Sequence, residues 1–227
     1  MAIAFSNTGK ATVASGTITA TVTINSGDTV VVTILVHVSG GAIRTITSVV
    51  DSSGTNTYTQ KTNQANGASG PQTFIWGALN VSSSATTVTV TVSGTFTGAD
   101  VIVATYTGVG TNGFGNTGVN TGNSSTPTVT ATTQDANNFV VAAMGQVASA
   151  AATFTASVGN LRSQQAAGAG IPVLGLNDNT AASAGSVVNT VTSNKSNLWA
   201  CCAVELRSTS PGGSTSKNLL MMMGVGS

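Results

Sequence analysis

An all-β fold is what the sequence predicts: an antiparallel two-sheet β-sandwich, jelly-roll-like, with an extended C-terminal arm. Three observations carry that expectation. Apolar residues recur with period two in several windows, short Gly/Asn/Asp/Ser clusters separate those windows, and no stretch shows the 3.6-residue period of an amphipathic helix.

The elements follow in chain order. In Thr17 to Ile24 every even position is apolar and every odd one is Thr, which reads as a strand with one buried and one wet face. Threonine suits the wet face because its β-branch fits the pleat while its hydroxyl bonds water. The turn Asn25-Ser26-Gly27-Asp28 leads into Asp28 to Val38, where Val30, Val32, Ile34, Val36 and Val38 share a face. Further strands are expected at Ile43 to Val50, Asn56 to Lys61, Gln72 to Leu79, Thr87 to Val92 and Asp100 to Thr107. In the second half they are expected at Thr126 to Thr132, Asn138 to Val147, Thr153 to Ser157, Pro172 to Leu176, Ser186 to Thr192 and Asn197 to Arg207. Because Leu198 to Val204 is apolar on both parities, that strand is expected in mid-sheet with both faces covered.

Two stretches lack this pattern. Gly108 to Ser125 is rich in Gly and Asn and reads as a long loop. It could divide two small sandwiches, but a single sandwich over residues 1–208 with a long excursion is preferred, since the first half alone has few aromatic core residues. Ala148 to Gly170 alternates weakly and reads as partly loop. Ser208 to Ser214 is a flexible linker by composition, and 209–227 is the linker and arm.

Composition restricts function. Only 6% of the 227 residues are charged and the formal net charge is +1, against about a quarter charged in an ordinary domain. One His, one Glu, five Asp and two adjacent Cys leave few ways to assemble an acid/base or metal centre. No catalytic, cofactor or metal residue is therefore assigned, and no enzyme is expected. Without a cluster of Lys or Arg, nucleic acid is not an expected partner. The most apolar stretch, Val30 to Val38, is about half the length of a membrane span, so no membrane is expected either. Met1 to Lys10 shows no export signal.

The individual candidates read structurally. Cys201 and Cys202 are expected as small buried hydrophobes on opposite faces of a strand. His37 is expected to be solvated or hydrogen-bonded, and Glu205 to sit near a strand end beside Arg207. Asp51 to Tyr58 could offer oxygens to calcium, yet a turn in which Asp51 bonds the backbone and Gly54 takes positive φ needs no ion. Phe74, Trp76, Phe139, Phe154 and Trp199 are expected in the core, leaving Tyr58 and Tyr106 as the plausible surface aromatics.

The tail carries the clearest functional signal. Leu219, Leu220, Met221, Met222, Met223 and Val225 lie beyond the Gly/Ser linker, and such a greasy end requires cover. It is expected either to fold back as an edge strand or to dock as an arm into a neighbouring subunit, by strand addition and adaptable Met packing.

Taken together, Gly27 to Val32, Val50 to Tyr58, Phe74 to Val81, Thr87 to Val92 and Ala104 to Val109 resemble a group of Thr/Gly-rich β-sandwich proteins among tailed-phage virion components and bacterial surface proteins. The resemblance implies a jelly-roll-like sandwich used for decoration, cementing or fibre-type attachment, as an oligomer, with no active-site residues to carry over. The expected role is a virion structural protein assembled in the host cytoplasm, most simply a capsid decoration or cement protein. Its expected partners are itself and other virion proteins such as the major capsid protein. The alternative is a fibre or receptor-binding module whose loops meet host glycans.

Overall fold

The computed structural model describes residues 2–38, 41–147, 152–166 and 172–209. Among them are sixteen strands and no helix. The first eight are β1 (Ala4–Val13), β2 (Thr17–Ile24), β3 (Thr29–His37), β4 (Ile46–Asp51), β5 (Thr59–Ala65), β6 (Gln72–Ala78), β7 (Ala85–Val92) and β8 (Gly98–Thr107). The second eight are β9 (Val109–Ser124), β10 (Thr128–Thr133), β11 (Phe139–Gln146), β12 (Phe154–Val158), β13 (Asn160–Ala166), β14 (Val173–Thr180), β15 (Gly185–Ser193) and β16 (Asn197–Ser208).

The second eight repeat the first strand for strand. A five-stranded sheet β1-β8-β3-β6-β5 and a three-stranded sheet β2-β7-β4 form one sandwich; β9-β16-β11-β14-β13 and β10-β15-β12 form the other. All pairings are antiparallel. The repeat extends to single hydrogen bonds. Gly27 N–H donates to Val81 O and Val81 N–H to Asp28 O, both at 2.8 Å; Asn137 and Ala181 N–H donate to Ala181 O and Asn138 O, also at 2.8 Å. Gly27 has φ +90° and Asn137 φ +64°, since Asn is the side chain that best tolerates the left-handed region after Gly.

Three cores separate four layers. One lies between the sheets of the first half, with Ile18, Val32, Ile34 and Val90. One lies between the sheets of the second, with Met144, Phe154, Val191 and Trp199. The third lies between the two five-stranded sheets, where Val31, Leu35, Ile102 and Tyr106 meet Val141, Leu176, Val204 and Leu206. We call the five-stranded sheets inner and the three-stranded ones outer. Two-sided burial explains why β3 and β16 are apolar on both parities, while β2 and β7, facing solvent on one side, alternate.

The halves face each other about an approximate two-fold axis. β5 packs over β9, and β13, its counterpart, over β1. Lys61, at the bulge between Gln60 and Thr62, places Nζ 4.2 Å from the Phe114 ring; Arg162, at the matching bulge between Leu161 and Ser163, places Cζ 4.8 Å from the Phe5 ring. These reciprocal cation–π contacts clasp both rims of the interface.

The structure corrects the reading of Gly108 to Ser125 as a loop. Residues 109–124 are β9, which pairs along β16, and the connection between the halves is Gly108 alone. Two sandwiches back to back therefore replace the preferred single sandwich with an excursion. β9 lacks alternation because it closes its sandwich backbone to backbone: a Cβ on Gly118 would strike the Thr130 carbonyl, as one on Gly9 in β1 would strike that of Thr21. Ala148 to Gly170, read as partly loop, contains β12 and β13. The proposed arm, Leu219 to Val225, lies outside the described residues.

Gly9→Ala and Gly118→Ala should each lower unfolding free energy by about 1–3 kcal/mol in urea melts, whereas Gly16→Ala, with open space around it, should act only through its positive φ. Arg162→Ala should cost about 3–5 kcal/mol, because Arg162 Nε also holds the fully buried Asp178 carboxylate at 2.8 Å. Lys61→Ala should cost about 1 kcal/mol or less by the same measurement, since Lys61 Nζ meets the Phe114 ring and the Thr59 hydroxyl in place of a buried carboxylate.

Candidate assembly surfaces

Asp51 sits at the end of β4, where turning backbone leaves N–H groups to satisfy. It accepts from Ser53 N–H (3.0 Å) and Oγ with Oδ1, and from Asn56 Nδ2 (2.7 Å) and Tyr58 OH (2.9 Å) with Oδ2. Burial alone would raise its pKa, but these hydrogen bonds together bring it below the ordinary value. Gly54 has φ +68° and its N–H donates to Asp51 O, as the turn reading requires, and both Asp51 carboxylate oxygens accept from protein donors.

Glu205 lies on the core side of β16 and is fully buried. Its oxygens accept from Gln134 N–H (2.7 Å), Asn138 Nδ2 (2.6 Å) and Asn116 N–H (3.0 Å). Arg207 stands 3.7 Å away, near as expected, but the close partners come from the β10–β11 turn and β9. Asp178 accepts from Arg162 Nε on the neighbouring strand β13 and, across the inner-sheet interface, from Tyr106 OH (3.1 Å). Tyr58 and Tyr106, expected at the surface, are thus buried, because each hydroxyl reaches a buried carboxylate. Burial and those neighbouring carboxylates raise both phenol pKa values.

Asp100 is the exception. It is fully buried on the inner-sheet face of β8, and neither carboxylate oxygen has a hydrogen-bond partner. Burial pushes its pKa up to about 7, against a smaller opposing effect of the Thr12 hydroxyl. His37, on the same face of β3, pairs with Gly98 in register, is 8% exposed and leaves Nδ1 unpaired. Burial lowers its pKa. Lys10 shares this face of the sheet, but its Nζ donates to Gln164 O at 2.9 Å. Cys201 and Cys202 are free thiols, buried on opposite faces, and burial raises both pKa values.

The surfaces open to a partner are the outward sides of the two outer sheets. On the first, Thr19 pairs with Thr89 and Thr89 with Val50, making a row across all three strands. On the second, Thr128 pairs with Thr190 and Thr190 with Val158. Both rows join their threonines through hydroxyls, at 3.0 Å and 2.8 Å respectively. Val50 is 50% and Val158 41% exposed. The outward positions of these six strands carry Thr, Ser, Ala or Val and no charged residue. The threonine alternation was visible in sequence; the valines were not, because only strand register puts each beside its threonine pair. Among the described residues no group of three or more His, Cys, Asp or Glu is placed to hold a metal.

The pH dependence of stability should report Asp100. Below about pH 4 the carboxyl is neutral in both states; between about pH 4 and 7 the unfolded chain ionises while the folded chain keeps its proton, so stability falls as pH rises and levels off above about 7. His37 acts in the opposite sense near pH 6.5, since its folded form binds the proton less readily. Comparison with Asp100→Asn isolates the carboxyl: urea melts at about pH 5 and about pH 8 should show wild type losing up to about 3 kcal/mol more than the variant.

No family model, no curated protein and no solved structure matches this chain.

Proposed function

We propose that this chain is a non-enzymatic structural protein of a virus particle, a capsid decoration or cement protein that stabilises a shell through contacts between subunits. The observation that carries this reading is a four-layer slab whose two outward faces are hydroxyl-rich, valine-bearing and free of charge. Such faces pack copies side by side without strong repulsion. Most buried acids are held by turn and core donors, which leaves little titratable chemistry at the surface and fits a structural role. Burial of apolar atoms between subunits, at about 25 cal/mol per Å² summed over repeated contacts, would stiffen the shell.

The strand order supports the jelly-roll part of the reading. In each half the first, eighth, third and sixth strands lie opposite the second, seventh and fourth, which is the winding of a jelly roll with the fifth strand moved to the inner sheet. The arm fits the same reading: Thr209 N–H donates to Gly108 O at 3.3 Å, so the chain leaves from the junction of the two halves. The proposed partners are further copies and other virion proteins such as the major capsid protein, with assembly in the host cytoplasm. A fibre or receptor-binding role would be favoured by an exposed tip loop at Gly108 to Ser125; that segment is β9, and the support is lost.

Deletion of Leu219 to Val225 tests the arm. Particles assembled with the truncated chain should incorporate at least about tenfold less of it than of the full chain, a loss of about 1.4 kcal/mol or more in association. Unchanged incorporation, measured by quantitative gel analysis of purified particles, would remove the anchor from the proposal.

A further inference from the structure

We propose that the two outer sheets are a pair of equivalent docking faces, one on each side of the slab, each of which takes a second copy of this chain, so that the protein assembles into open rows. The inference rests on the structural-protein reading in requiring that copies meet, and goes beyond it in naming the surface and its valence.

The approximate two-fold axis makes the faces alike. The Thr19, Thr89, Val50 row and the Thr128, Thr190, Val158 row occupy matching register positions on the second, seventh and fourth strands of their halves. Because the inner sheets pack against each other, the outer sheets look in opposite directions. A partner recognised by one face is therefore met again on the far side, and a contact repeated on opposite sides extends a row instead of closing a ring.

Chemistry identifies the partner. A strongly charged partner finds no counter-charge on either face, whereas a copy of this chain, at net charge +1, brings no field that would repel it. A hydroxyl is both donor and acceptor, so a threonine face is complementary to itself in hydrogen bonding. The half-exposed valines, on the edge strands β4 and β12, add apolar area to each patch and lose it from water on contact.

Sedimentation velocity on the full chain over a wide concentration range tests this. Wild type should reach species larger than two copies as concentration rises. Val50→Lys or Val158→Lys, each burying a charge in one face, should stop at two copies or fewer, and the double variant should sediment as a single copy. Val119→Lys, at a comparably exposed valine on β9 away from both faces, should behave as wild type. The milder Val50→Thr and Val158→Thr should weaken association in the same order, and thermal melts should match wild type for all variants. A wild type that never exceeds two copies, or a single or double lysine variant that assembles as far as wild type, would overturn the outer-face proposal. Incorporation of the double variant into particles separates the two ideas: normal incorporation with lost row formation leaves the decoration reading standing, and failure of wild type to incorporate removes that reading by itself.

Discussion

The seam between the two inner sheets is the constraint on which the rest of the structure depends. Joining two sandwiches by their five-stranded sheets buries both faces of β3, β8, β11 and β16, and a strand covered on both sides tolerates no unpaired charge and little side-chain mismatch. Small residues are therefore set against large ones across the seam. A Cβ on Gly145 would meet Leu35 and Thr73, and Gly145 occupies in β11 the place that Leu35 holds in β3. Equivalent positions that touch each other lie close to the two-fold axis. In a dimer of identical halves, such a position would have to oppose leucine to leucine or glycine to glycine. Covalent fusion lifts that restriction, and the chain uses it to pair a large residue with a vacancy.

The rims of the seam kept their likeness where its centre diverged. Phe5 and Phe114 take a cation from the fifth strand of the opposite half, and these positions lie far from the axis, so each meets a different neighbour and the same residue type serves twice. Near the axis and in the outer cores, counterparts differ widely: Tyr106 matches Leu206, Trp76 matches Asn177, and Thr73 matches Leu174. Asn177 brings its own compensation, donating to Val158 O and Thr190 O. Such differences hide the internal repeat from the sequence, although both halves share one strand order and matching backbone bonds.

That history explains what was legible beforehand. Strands with one wet face announce themselves by Thr alternation, as β2 and β7 do, and strands buried on both faces by continuous apolar runs, as β3 and β16 do. β1, β9 and β13 carry neither signal. Their side chains lie at rims, half in contact with the other half of the chain, and β1 and β9 need glycine where their backbones cross β2 and β10. Glycine and asparagine in a row look like a loop unless the opposing backbone is known. The buried tyrosines were misplaced for a related reason: the carboxylate that draws Tyr106 inward is Asp178, which only the seam brings near it. At the outer faces the threonines were readable and the valines were not, because β4 and β12 are short edge strands whose register is set by bulges beside Ile46 and Ala156.

Scarcity of charge gives each remaining ionisable group a definable duty. Asp51 and Glu205 close opposite halves by gathering N–H groups that the turns leave without partners, and an acid is the economical residue there because one carboxylate accepts several bonds at once. Asp178 gathers side-chain donors instead: Arg162 Nε from the neighbouring strand and Tyr106 OH across the seam. Asp100 breaks the pattern: it occupies the register position that Ala200 fills in the second half, where neither carboxylate oxygen finds a hydrogen-bond partner and the neighbouring Thr12 hydroxyl offsets burial only in small part. A neutral carboxyl is the form that such a site favours, so the folded chain keeps the Asp100 proton up to about pH 7 while the unfolded chain releases it from about pH 4, and stability falls across that interval. Through Asp100 the packing of the two sandwiches against each other therefore depends on pH: its contribution falls between about pH 4 and 7 and stays low above that.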